Sequence, residues 1–435
     1  MDSFEDKKRF IERHEAEISP LKVPETDVDS AIEAYRVKIF KLEKSESACD
    51  PDARRIALSA SDPLTLGTTR TLIERMATDR RFRSVTLITD NVAAQTFASL
   101  ISNDSRYALF SEVDTSRGIF ETLGEKANSG LDIALAFIES QNSPSSSLAY
   151  EWKSAYGAKK LYLINEGWNG IGQRRDFFSR LRPDDVDAIL CNDDVARKVL
   201  MSQMPAFAKK IRVTGTPVLD ALGLEQGKAA RESGRSRLGL MTDEIAVLLQ
   251  GDVVADLTAE KLNVDEQINV RTLQNLVEAT AEAARVHPEK RYAILVRPHG
   301  RDDVDDVRNL LATKLPGNSP QNIRLLDASG DKLSIHEATF SADIVTSINS
   351  TANHLAPKRG REAIFLGFGD RLGAEVLKAT YGDLYMNILS GPGLRVVQTK
   401  EELAQVLGES KTAPVPSLPR IGETATDHLL AEILN

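Results

Sequence analysis

Tyr292-Ala293-Ile294-Leu295-Val296-Arg297-Pro298-His299-Gly300 is the stretch on which the fold turns. Its first five residues form an apolar run of strand length, and Arg297, Pro298 and His299 then open it into a loop. Further along, Ala342-Asp343-Ile344-Val345-Thr346 repeats the pattern and opens into Ser347-Ile348-Asn349-Ser350-Thr351, hydroxyl residues suited to capping a helix. A strand buried on both faces reads as a continuous apolar run, so both segments fit a parallel sheet covered by helices. In such open sheets, ligands bind outside the carboxyl ends of the strands. One of these loops is cationic and the other is rich in hydroxyls and backbone N–H groups. That pair suits an anionic diphosphate.

Outward from these two segments, strands alternate with helices. The second half carries further strand candidates at 245–249, 323–326, 363–366 and 394–397. In the first half, a strand at 56–60 leads through Pro63 and Gly67-Thr68-Thr69 into a helix bearing Leu72, Ile73 and Met76. Strands follow at 85–89, 107–110, 161–164, 188–190 and 211–213, with a helix at 91–100. The run 131–138 fits either a strand or a buried helix, because a short apolar run does not separate the two. The expected fold class is α/β: two Rossmann-like domains with parallel sheets facing across a cleft, plus a helical N-terminal extension.

The expected boundaries are a helical extension over 1–52, a first Rossmann-like domain over 53–222 and a linker over 223–240. A second Rossmann-like domain over 241–410 and a tail with a closing helix over 411–435 complete the chain. The extension is read as a helix because Ile32, Tyr35, Ile39 and Leu42 share one face at helical spacing. It is an appendage on the first domain or, alternatively, a helix for homodimerisation or a partner. The linker reading rests on the Gly, Ser and charge content of that stretch.

At 435 residues the chain is too long for one typical core. Its 41% hydrophobic and 27% charged residues are ordinary for a globular protein. A net charge of −9 argues against a large basic surface, so nucleic acid is not an expected partner. No apolar run reaches the length of a transmembrane segment, and Met1-Asp2-Ser3-Phe4-Glu5 lacks the apolar stretch of a signal peptide. Two distant cysteines, Cys49 and Cys191, fit reduced thiols. A cytoplasmic location is expected.

Three segments, in order and spacing, resemble the GT-B superfamily of nucleotide-sugar glycosyltransferases and the related UDP-N-acetylglucosamine 2-epimerases. They are Ile211-Arg212-Val213-Thr214-Gly215-Thr216-Pro217-Val218-Leu219-Asp220-Ala221-Leu222, then Val296-Arg297-Pro298-His299, then Ala342-Asp343-Ile344-Val345 with Ser350-Thr351-Ala352. The resemblance spans roughly 55–410 and implies a two-domain fold with the nucleotide on the second domain and the acceptor on the first. Many members carry a ribose-binding carboxylate after the Ser-Thr segment, and here that position is Leu355, beside His354. The epimerases carry a His-Arg-x-Glu-Asn-type segment after the first strand of the second domain. This chain instead reads Gln250-Gly251-Asp252-Val253-Val254-Ala255-Asp256. Asn165-Glu166-Gly167-Trp168 occupies a place similar to a Glu-Ala-Gly segment of the first domain.

The resemblance implies a metal-independent glycosyltransferase of glycan, glycoconjugate or polysaccharide biosynthesis. Its substrate would be a nucleotide sugar, without a further cofactor, and its acceptor a glycan, lipid-linked or small molecule. The alternatives are a nucleotide-sugar 2-epimerase or hydrolase, and a non-catalytic binding scaffold. The donor is expected at Gly251, Asp252, Arg297, His299, Ser347, Ser350, Thr351 and Asn353, and the acceptor at Gly67, Thr68, Ser145 and Trp168. Glu166 is the expected base, ahead of Asp62, Asp90 and Asp114, with His299 as the second catalytic residue. Each has a plainer reading: an N-cap or an ion pair to Arg174 or Arg175 for Glu166, and a core or loop-bracing role for His299. For Arg297 it is an ion pair with Asp302, Asp303, Asp305 or Asp306, for Ser350 N-capping, and for Gly67 a tight turn. The basic run Lys358-Arg359-Gly360-Arg361 reads as a solvated loop.

Overall fold

The computed structural model describes residues 38–59, 66–89, 109–113, 131–137, 157–165, 182–217, 224–251, 268–298, 304–330, 332–368, 372–381, 385–412 and 424–435. These fall into two units. One takes in the described residues between 38 and 217 together with 424–435, and the other those between 224 and 412.

The first unit is built on β1 (Lys38–Glu43), β2 (Arg54–Ser59), β3 (Phe82–Thr89), β4 (Leu109–Val113), β5 (Ile133–Phe137), β6 (Lys160–Asn165), β7 (Ala188–Cys191) and β8 (Ile211–Val213). They lie in the order β4-β1-β3-β2-β5-β6-β7-β8. From β3 through β8 neighbouring strands are parallel, whereas β1 runs antiparallel between β3 and β4. Within the ambiguous run at 131–138, Ile133–Phe137 is strand β5, and all five of those residues are buried. Helix α1 (Leu66–Thr78) buries Leu72, Ile73 and Met76 against this sheet, and α2 (Asp194–Gln203) follows β7. The closing helix Ala425–Leu434 sets Leu429, Leu430 and Ile433 into the same core and pairs Asp427 with Arg75 at 2.7 Å.

The N-terminal helix reading is corrected over 38–43. Phe40 and Leu42 are buried while Lys41 and Glu43 are half-exposed and paired at 2.9 Å, the alternation of a half-covered strand. Ile39 and Leu42 are three residues apart, so they fit a helix face as well. Two strand partners, β3 and β4, settle the choice through backbone hydrogen bonds that the local pattern does not reveal. Residues 44–52 carry a short 3-10 turn at Glu46–Ala48, and 1–37 lie outside the described residues.

The second unit contains β9 (Glu244–Gln250), β10 (Arg291–Arg297), β11 (Ile323–Asp327), β12 (Ile344–Ser347), β13 (Glu362–Leu366) and β14 (Leu394–Val397), all pairing in parallel. Their order is β11-β10-β9-β12-β13-β14. This is the doubly wound order, in which the chain starts in the middle, winds one way, and then returns to wind the other. The helices are α3 (Leu224–Arg237), α4 (Ile268–Val286), α5 (Val304–Ala312), α6 (Ile335–Ser341), α7 (Thr351–Lys358), α8 (Leu372–Tyr381), α9 (Tyr385–Ile388) and α10 (Lys400–Glu409). Along β9, Ile245, Val247 and Leu249 share a core with Leu273 and Leu276 of α4 and Leu403 and Leu407 of α10. Ala246 and Leu248 face the other way, among Ala338 of α6 and Ala352 and Ala356 of α7. Small side chains on that second face let α6 and α7 approach the sheet closely.

The linker reading is also corrected, because 224–237 is helix α3. Gly227 and Gly234 lie against α6, where a Cβ on Gly227 would meet the Phe340 ring at 2.9 Å and one on Gly234 would collide with Ser341 Oγ. Between them, Arg231 donates from Nη1 to the carbonyls of Phe340, Ser341 and Ala342 and from Nη2 to Asp343. Those glycines serve close helix packing rather than flexibility. Among the described residues, no helix is long and apolar enough to cross a membrane.

Candidate functional site

In the second unit, the strand order reverses between β9 and β12, and this switch point is where doubly wound sheets hold ligands. Gln250 closes β9, Arg297 closes β10 and Ser347 closes β12, so three polar residues meet the carboxyl edge of adjacent strands. Thr346 Oγ1 donates to Leu248 O at 2.9 Å, and Gly251 N–H donates to Arg297 O at 2.8 Å. These bonds fix the three strand ends relative to one another.

The Arg297 guanidinium is anchored on one side only. Nη1 donates to Ala328 O at 2.9 Å and Leu333 O at 2.6 Å. Nε and Nη2, the edge that forks onto an oxyanion, have no partner among the described residues. Burial pushes its pKa down from the ordinary arginine value, with Glu337 pulling weakly the other way. Arg297 is thus held in one orientation with a bidentate donor edge in reserve.

Beyond β12, Ser347 Oγ accepts the Ser350 N–H at 2.8 Å, and Ser350 Oγ accepts the Ala352 N–H at 3.3 Å as the N-cap of α7. N-capping is worth about 1 kcal/mol and occupies a lone pair of Ser350 while leaving its hydroxyl proton available. Thr351 is the first residue of α7, whose positive dipole end lies at this edge. Gln250 is almost fully buried. Its Nε2 makes one long bond to Gly251 O at 3.4 Å, and its Oε1 has no partner among the described residues.

Asn353 stands apart from this group. Its side chain is fully buried and Nδ2 donates to Ile364 O at 2.8 Å, so it ties α7 to β13. Leu355 is half-buried in α7. The solvated-loop reading of the basic run is corrected as well: Arg359 and Arg361 are 2% and 1% exposed. In the first unit, Gly67 lies in the first turn of α1, and Thr68 and Thr69 are fully buried there. Their hydroxyls and that of Ser59 at the end of β2 have no partner among the described residues. Glu166, Asp252, His299, Ser145, Trp168, Asp62, Asp90 and Asp114 lie outside the described residues, as do Asp302 and Asp303.

Sequence reasoning missed Gln250, and it missed Tyr381, whose hydroxyl donates to Asn349 Oδ1 at 2.7 Å. A polar residue ending an apolar run is a usable signal for Gln250. Tyr381 carries no such signal, since its role comes from a loop distant in sequence.

No protein-family model matches the chain, and no curated protein matches it either. Solved structures do. A Listeria monocytogenes protein assigned as a UDP-N-acetylglucosamine 2-epimerase is 14% identical, with 87% of this chain and 95% of that one covered and a TM-score of 0.51. A UDP-GlcNAc 2-epimerase from Neisseria meningitidis, bound to UDP-GlcNAc, is 12% identical over 87% of this chain and 99% of its own, with a TM-score of 0.48. The wall teichoic acid polymerase TagF is 13% identical over 99% of this chain and 92% of its own, with a TM-score of 0.40. The likeness to the Listeria protein shows the fold alone, two Rossmann-like α/β units.

Proposed function

We propose that this chain is a nucleotide-sugar-dependent glycosyltransferase whose donor diphosphate binds the second unit. The observation that carries the reading is Arg297, braced through Nη1 and open along Nε and Nη2, at the carboxyl end of a strand next to the switch point. The dipole end and free hydroxyl proton of the Ser350-capped helix support it on the neighbouring side. In the transfer, an acceptor hydroxyl attacks the anomeric carbon and the bond from that carbon to the diphosphate oxygen breaks. The diphosphate leaves with the electron pair, and the acceptor proton passes to a base. Arg297 and the α7 terminus stabilise the charge that develops on the leaving group. Glu166 is the proposed base, with Trp168 stacking on the sugar and His299 donating to a phosphate or sugar hydroxyl.

A second reading, a nucleotide-sugar 2-epimerase or hydrolase, draws on the fold likeness to the Listeria protein. Gln250-Gly251-Asp252 where epimerases carry a His-Arg-x-Glu-Asn-type segment places it behind the first. The test is calorimetric titration with UDP, GDP, CDP, TDP, ADP and CMP, followed by product assays with the sugars of the nucleotide that binds. One nucleotide should bind saturably, and Arg297→Ala should weaken it about 10- to 100-fold, the range for a lost charged hydrogen-bond pair. Unaltered affinity in Arg297→Ala would remove the donor from this edge. Release of free sugar or its epimer without an acceptor would favour the second reading.

A further inference from the structure

We infer that the turn between β11 and α6 is the seat that presents Arg297 to its ligand, and that Asp327 is the positioning residue that closes this seat. The inference rests on the transferase reading, because it concerns the arginine assigned there to the donor diphosphate. β11 pairs with β10, and Arg297 reaches from the end of β10 to the turn beyond β11. Its Nη1 donates to both ends of that turn, Ala328 O at 2.9 Å and Leu333 O at 2.6 Å. The Ala328 N–H returns a bond to Val296 O at 2.8 Å. The start of the turn is thus fixed to the residue just before Arg297.

Asp327 closes the turn from within. It ends β11, its Oδ1 accepts the Ser329 N–H at 2.8 Å, and its Oδ2 pairs with Lys332 Nζ at 2.9 Å. Burial pushes the carboxyl pKa up, but Lys332 and the Ser329 N–H outweigh it and hold the group below its ordinary value. Ser329 O accepts the Lys332 and Leu333 N–H groups, each at 3.0 Å. From outside, Arg237 of α3 donates to Lys332 O and pairs with Glu337 at 2.9 Å. The turn is therefore closed by its own bonds, and its two carbonyls stand ready for Arg297. They fix one nitrogen of a guanidinium whose Nε and Nη2 have no partner among the described residues. Fixing one nitrogen in advance lowers the ordering cost when the remaining fork meets an oxyanion.

Gly330 supports the same assignment. It stands within the turn, where an added Cβ would lie 3.9 Å from Arg297 Nη2. Among the described residues, and apart from its chain neighbours, no other atom comes within 4 Å of that point. The space beside Nη2 on this side is unfilled, and the missing side chain keeps it so. The turn thus orients the guanidinium through Nη1 and passes Nη2 without covering it.

The test titrates the full chain, by calorimetry, with UDP, GDP, CDP, TDP, ADP and CMP, and carries the nucleotide that binds into a mutant cycle. The cycle comprises Asp327→Ala, Arg297→Ala and the double variant. Asp327→Ala should weaken binding about 3- to 10-fold, the lower part of the coupling range within one hydrogen-bond network. In the Arg297→Ala background the same substitution should have no further effect, because Asp327 acts through Arg297. A merely structural role gives equal losses in both backgrounds. Should Asp327→Ala fail to fold, Lys332→Met breaks the same pair from its exposed side and takes its place in the cycle. Wild-type affinity in the folded variant, or losses that simply add, overturns this inference and leaves the transferase reading standing. Unaltered affinity in Arg297→Ala, or a wild type that binds none of the six nucleotides, overturns that reading and this inference with it.

Discussion

The Tyr381 hydroxyl donates to Oδ1 of Asn349 at 2.7 Å, so the last residue of α8 orients the amide of a residue just past β12. Tyr381 has one proton to give, and His354 Nε2 therefore donates to its oxygen, at 2.8 Å. Phe365 closes the surround, its ring 5.0 Å from that of His354. All three polar residues are buried. Tyr381→Phe removes the middle of the chain and leaves both neighbours short of a bond. A loss of about 1–3 kcal/mol is expected, read as a lower urea midpoint with an unchanged slope. An unchanged midpoint would show that the chain of bonds is not formed in solution.

Gly234→Ala tests whether α3 packs against α6 or lies solvated. On a solvated helix, alanine would stabilise by up to about 1 kcal/mol. Against α6 the new methyl meets Ser341 Oγ and Glu337 O, so the variant should instead lower the thermal midpoint. A raised midpoint would mean that α3 does not pack there.

Arg231→Met should cost about 3–5 kcal/mol, because Asp343 is fully buried and loses its nearest cation. Arg235, 3.4 Å from the other carboxylate oxygen, tempers the loss. Denaturant unfolding of Arg231→Met with and without Arg235→Met tests the coupling, and strict additivity would show that the two arginines act independently.

His336 makes stability fall on the acid side. Its pKa is about 4 in the fold against 6.5 ordinarily, so between these values the unfolded chain binds more protons than the folded one. Stability therefore rises with pH across that window and is lost as pH falls from 6.5 to 4. The group contributes no more than about 3 kcal/mol to this change. Arg359 bonds the ring and the charge of Arg297 also acts on it, so protonation would add a third positive charge. In His336→Gln the slope between pH 4 and 6.5 should flatten. An equal slope would assign the effect to other groups.

Much of the fold was legible because strand-forming runs such as 245–249 and 292–296 carry their signal locally. A strand covered on both faces needs apolar residues at every position, whatever partners lie beside it. The candidate edge was legible for a related reason. Arg297 follows directly on 292–296 and Ser347 on 342–346, and the chain geometry places both at the carboxyl edge.

The misread segments share a different cause. Residues 38–43 accommodate either periodicity, and only pairing with β3 and β4 makes them a strand. Gly227 and Gly234 resemble linker glycines until Phe340 and Ser341 arrive against them. Arg359 looks solvated in its basic run, yet its Nη2 meets His336, which lies in another helix. By itself, the sequence determined which segments become buried strands and which residues end them, because hydrophobicity and chain direction are local properties. Only the tertiary structure decided that Arg359 is a buried cation with open donors and that Asn353 is a brace. Burial and hydrogen-bond supply depend on what the rest of the chain brings alongside.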